Sequence, residues 1–167
     1  GKEERFLYPN TDEGRAECLA DYQKILDHID KNLSQVFDLR PKAGMKVERI
    51  PEFKEKTSPG AYYQPASMGG ERPGVFYANL RDLNEVPKFG MKTLAYHEGI
   101  PGHHFQIAIA QGLKKLPVFR QLIPFTAYAE GWALYAEKLA GELGFFDTPH
   151  DKLGYLSSEL FRAVRLV

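Results

Sequence analysis

The chain has 167 residues, enough for one domain with a sizeable core and cramped for two. Lysine plus arginine equals aspartate plus glutamate, 22 against 22, which leaves no electrostatic footprint for nucleic acid and no polybasic membrane anchor. The single cysteine, Cys18, rules out an intrachain disulfide and a cysteine-based zinc site, and no run of about 18 apolar residues is present to span a bilayer.

Apolar residues recur at helical spacing from Asp12 to Leu39, with Thr11 or Asp12 as the cap and Pro41 and Gly44 as the stop. Met45–Ile50 alternates as a half-buried strand does, and Pro59–Pro73 reads as irregular ribbon. Residues 74–80 make the best strand candidate. Pro87 or Lys88 opens a helix that runs into His97 and Glu98, Pro101-Gly102 interrupts it, and a second stretch runs from Phe105 to Gln111. Pro117 and Pro124 bracket a connection. Thr126 is placed to cap a helix reaching about Leu143, and a last helix starts near Thr148-Pro149. Tyr128, Trp132 and Tyr135 read as core residues, and His28 and His150 as solvent-facing. The expected fold is α+β, predominantly helical, with a small sheet. The first residues, Gly-Lys-Glu-Glu-Arg, hold no signal peptide, and the C-terminus stops inside an amphipathic pattern. The expectation is a single domain at the C-terminal end of a longer protein.

Three of the five histidines fall in His97-Glu98-Gly99-Ile100-Pro101-Gly102-His103-His104. A zinc hydrolase needs neutral imidazoles, a carboxylate to take a proton from water, and one open coordination position. The usual helical arrangement puts the two histidines four residues apart, but here that position is Pro101. On a straight helix His103 would point about 120° away from His97, and His104 would share its face about 10.5 Å along the axis. Pro101 also lacks the N–H that would bond the His97 carbonyl. A bulge absorbing two residues at Gly99–Gly102 restores the phase of His97 and His103. His103 is therefore preferred as second ligand. His104 is the alternative, or else a group near the substrate.

The third ligand should come from another helix. Glu130 lies among Tyr, Ala, Trp and Leu, where burying a carboxylate is costly unless it is paired or metal-bound. Glu137, two turns on, is the alternative or a partner to a ligating histidine. Glu98 is the candidate general base, and His104, Tyr96 or Tyr128 could steady an oxyanion. Two rival readings are a binding module that keeps the metal without catalysis, and an iron oxygenase using two histidines and a carboxylate. Glu98 has no obvious task in the oxygenase.

Residues 96–106, followed by 128–135, resemble the bacterial family known as domain of unknown function 885, grouped by fold with thermolysin-like (gluzincin) zinc metallopeptidases. The resemblance runs from about Tyr62 to Val167. It implies a zincin-like core with long active-site helices, Zn2+ on His97, His103 and Glu130, Glu98 as base, and a peptide or small amide as substrate. It also implies that the parent is several hundred residues long and exported or lipid-anchored. An edge strand around Phe76–Asn79 would then hold an extended peptide, with Tyr77, Asn79 and Tyr128 touching substrate.

Overall fold

A computed structural model describes residues 3–69, 71–123 and 125–167, with Leu122 described in its backbone only. The readings placed on Gly1, Lys2 and Pro124 lie outside these residues. Helix α1 (Asp12–Asn32) begins at Thr11, whose side chain accepts the Gly14 N–H. It ends earlier than its apolar pattern predicts, in a single 3-10 turn over Leu33–Gln35. Arg40 folds back, donating to the Asp30 carbonyl and pairing with its carboxylate, so a cation meets the C-terminal carbonyls. Val36 is consequently exposed.

The sheet has the order β1–β3–β2 among the described residues. Strand β1 (Met45–Arg49) runs parallel to β3 (Gly74–Ala78), and β2 (Ala61–Gln64) runs antiparallel to it. Between β1 and β2 lies the one-turn helix α2 (Glu52–Glu55), whose buried Glu55 pairs with Arg49 at 2.7 Å. Strand β2 falls within the stretch expected to be irregular. Tyr62-Tyr63 gives no polar alternation, and only backbone pairing to β3 reveals it. The best strand candidate turns out to be the central strand, not an edge.

Helices α3 (Met91–Glu98), α4 (His103–Gln111), α5 (Val118–Leu122), α6 (Thr126–Glu142) and α7 (Pro149–Val164) follow. Thr126 does not cap α6. It is the first helical residue, and the Phe125 carbonyl takes the Tyr128 and Ala129 N–H groups. Helix α7 starts with a full capping box between Thr148 and Asp151, with Pro149 in the first turn.

Cys18, Tyr22, Leu26 and Ile29 on α1 pack against Phe76 of the sheet and against Ala95 and Tyr96 of α3 in one buried cluster. Truncating Leu26 or Ile29 to Ala should cost about 2–5 kcal/mol. On its other side α3 meets α6, where Ala133, Ala136 and Ala140 are fully buried. That row of small side chains lets the two helices approach closely. Tyr128 and Tyr135, expected in the core, are exposed, and Trp132 is half-buried. The alanines of α6 face inward, and among its aromatics Trp132 alone packs against the core cluster. His28 and His150 are exposed as expected.

Candidate metal centre

Helix α3 stops at Glu98, and α4 begins at His103. The interruption is a four-residue break between two helices, not a bulge within one. Its tightness requires glycine at 102, where a Cβ would lie 1.9 Å from the His97 carbonyl oxygen. The Trp132 indole donates to the Pro101 carbonyl at 2.8 Å and ties the break to α6. The imidazoles of His97 and His103 thereby meet, with ring centroids 4.8 Å apart and planes at 84°.

Glu130 completes the group. Its carboxylate lies 3.3 Å from His97 Nε2 and 3.5 Å from His103 Nε2. One donor atom from each of the three residues falls within 4.8 Å of the others. A tetrahedron with bonds of about 2.0–2.1 Å separates its donors by about 3.3–3.4 Å, close to the distance from each imidazole to its nearer Glu130 oxygen, Oε2 for His97 and Oε1 for His103. The donor set, two imidazoles and one carboxylate, also suits zinc and leaves a fourth position free. Glu130 is 53% exposed, so burial does not dictate its place. The buried carboxylate is Glu137.

Glu137 is fully buried and accepts His97 Nδ1–H at 2.7 Å. This fixes the tautomer that leaves Nε2 free to face Glu130. Arg162 of α7 grips the same carboxylate with two nitrogens, at 2.5 and 2.9 Å. Burial disfavours the charged ring of His97, but the hydrogen bond to Glu137, with Glu98 and Glu130 nearby, raises its pKa above the ordinary value. Burial pushes His103 down to about 4, with His97 adding to the effect. Its Nδ1 is buried and has no hydrogen-bond partner among the described residues.

Glu98 is 8% exposed, and burial lifts its carboxyl to about 7, with His97 opposing and Glu130 adding. The Tyr63 backbone N–H also favours its charged form. That amide is free for the purpose. The Asn79 N–H bonds the Gly60 carbonyl, so residues 62 and 64 turn towards β3 while 61 and 63 face outward. The edge strand on the site side is therefore β2.

The remaining expected site residues are placed elsewhere. His104 is 2% exposed and its Nδ1 meets the Tyr63 hydroxyl at 2.8 Å, on the sheet side of α4. Successive helical residues point about 100° apart, so α4 directs His103 to the cluster and His104 away from it. Burial drives His104 to about 4, against a backbone contact at Ala43. Tyr96 packs in the core against Phe146, centroids 5.6 Å apart. Tyr77 pairs with Tyr62 on the sheet face opposite Phe76 and Tyr63. Asn79 donates to the carbonyls of Glu55, Ser58 and Pro59, clasping the loop before β2. The edge-strand reading of Tyr77 and Asn79 is thus corrected: a central strand has no free ladder to offer. Tyr128 alone of the three lies beside a groove next to the cluster. Sequence reasoning missed Arg162 and Tyr63; neither carries a local signal.

The whole chain, residues 1–167, matches the family described as bacterial protein of unknown function (DUF885). The chain belongs to that family. A crystal structure from Colwellia psychrerythraea, described as a "putative lipoprotein", is 43% identical with a TM-score of 0.96. The match covers 99% of this chain and 28% of that one. No curated protein matches the chain.

Proposed function

We propose that this DUF885 segment carries the metal centre of a zinc-dependent hydrolase that cleaves peptide or related amide bonds, with a zincin-like core of the gluzincin kind. The observation that carries the reading is the convergence of His97, His103 and Glu130, with Glu98 beside His97 on the same helix turn. These three residues would hold the ion. When bound, zinc supplies Lewis acidity, which acidifies water and polarises a carbonyl.

The chain's own groups supply the rest. Glu98, with a pKa near neutrality, takes a proton as water adds to the carbonyl and returns it to the leaving amine. In the balance, one amide and one water give one acid and one amine. Glu137 and Arg162 keep the His97 ring in orientation. The outward Tyr63 N–H of β2 faces Glu98 and favours its charged form, the form that takes the proton. An exported or lipid-anchored parent fits the description of the Colwellia protein. Among the described residues no helix is long and apolar enough to cross a membrane.

Elemental analysis of the full-length protein should find about one zinc per chain, lost in His97→Ala, His103→Ala and Glu130→Ala. Glu98→Gln should keep the zinc and abolish cleavage of a peptide library. A folded wild type that takes up no zinc would refute the reading.

A further inference from the structure

Next to the metal cluster runs a groove of about 950 Å³, at the upper end of the ~300–1,000 Å³ usual for small-ligand sites. It is bounded by the end of β2, by α4, by α5 and by the first turn of α6. Gln106 lies one turn after His103, and Ala129 directly precedes Glu130, so the groove opens beside two residues of the metal cluster.

Its chemistry is specific in two respects. The walls are mostly apolar, with Ile107, Ala110, Leu113 and Ile123 among them. The only charged side chains on the lining are Arg72 and Arg120, with no acidic residue among the described ones, although the chain as a whole is neutral. Neither guanidinium pairs with a carboxylate among the described residues, whereas Arg15, Arg49, Arg81 and Arg162 all do. In addition, Gln106 is only 7% exposed, and its Oε1 has no partner among the described residues. Its Nε2 donates to the Tyr128 carbonyl, which fixes the amide the right way round and leaves Oε1 as an acceptor. A buried acceptor without a donor costs about 1–3 kcal/mol, which a ligand N–H would relieve.

We infer that this groove binds the C-terminal end of a short peptide: a large apolar side chain against α4 and α5, the free carboxylate at Arg72 and Arg120, and a backbone N–H on Gln106 Oε1. The inference rests on the hydrolase reading for the peptide's identity as substrate, and it makes that substrate a C-terminal peptide end.

The test uses full-length protein carrying Glu98→Gln, so that bound peptides survive, with calorimetric titration of three probes. These are Ala-Ala-Leu as the free acid, the same peptide as its C-terminal amide, and Ala-Ala-Asp. The free acid should bind at least about tenfold more tightly than either of the others. Arg72→Gln with Arg120→Gln, two exposed positions that leave the fold intact, should erase the acid–amide difference. Ala110→Trp should weaken the free acid by filling the groove, with thermal unfolding measured alongside. Ala110→Cys, with Cys18 buried, should react with a maleimide in the native protein and be shielded by Ala-Ala-Leu. Equal binding of acid and amide would overturn the inference. So would an introduced thiol that reacts only on unfolding, since the protein's own chain would then fill the groove. Zinc content and library cleavage are scored separately. A zinc enzyme that cleaves without regard to the terminal carboxylate would sink this inference and leave the hydrolase standing. Acid-selective binding without zinc would do the reverse.

Discussion

His97 and His103 present the same nitrogen to the same carboxylate, yet they are held in opposite ways. Behind His97 stand a fully buried glutamate and a bidentate arginine from the last helix. Behind His103 there is no hydrogen-bond partner among the described residues, and its orientation comes from the start of α4 and from packing alone. One ligand is fixed by an ionic chain across three helices, the other by backbone geometry after a helix break. The contrast teaches that the α3–α6–α7 side of the site is tied through an ionic chain, while the α4 side is held by its helix start and by packing. The groove lies along the α4 side.

The sharpest way to break the comparison is Glu137→Ala. It removes the His97 partner and strands Arg162 beside a buried ring, so stability should fall by about 3–5 kcal/mol in denaturant titrations. Zinc affinity should fall by about 10–100-fold in a chelator competition. Unchanged values in both would make the two histidines equivalent.

Glu98 extends the contrast, because burial rather than a partner governs it. Its folded pKa, about 7, lies above the unfolded value of 4.5. Its contribution to the stability of metal-free protein is therefore fully present below pH 4.5 and lost as pH rises through 7, a swing on the order of 3 kcal/mol. His103 and His104, both lowered to about 4, tilt stability the other way: their contribution is present above pH 6.5 and lost as pH falls through 4. The quantity to measure is thus the difference between wild type and Glu98→Gln in unfolding free energy at about pH 4.5 and about pH 7.5. A flat difference would contradict the burial of this carboxyl.

Arg162→Gln keeps Glu137 on His97 but removes its cation. Unfolding should become easier by about 2 kcal/mol, and zinc binding should weaken about tenfold. Arg162→Lys should restore only part of both, since an ammonium cannot make the two parallel bonds. The smallest effect should come from Tyr63→Phe, which removes the hydroxyl on His104, about 1 kcal/mol with zinc content unchanged. A loss of zinc there would return His104 to the metal centre.

Much of this site is legible in the sequence, because Pro101-Gly102 forbids a continuous helix and so dictates which histidine can come round to His97. The helices around it are legible too, since α1 and α7 carry caps and apolar periodicity. The rest depends on contacts distant in sequence. Arg162 lies 25 residues beyond Glu137 on a helix whose apolar stripe says nothing about where its arginine points. Strand β2 is invisible because its paired tyrosines point to opposite faces of a small sheet, and both are partly exposed. That same hidden strand, once paired, turns β3 into a central strand and removes Tyr77 and Asn79 from any peptide edge. The burial argument that points to Glu130 does not apply to it, since half of its side chain is exposed.

The indole of Trp132 donates to the carbonyl of Pro101, in the break that separates the two histidines. It is also the only tryptophan in the chain. A single fluorophore thus sits against the break between the two candidate histidine ligands. Zinc binding at His97 and His103 is therefore expected to shift the emission of that one indole, and a zinc titration of this segment would read the shift with no label added.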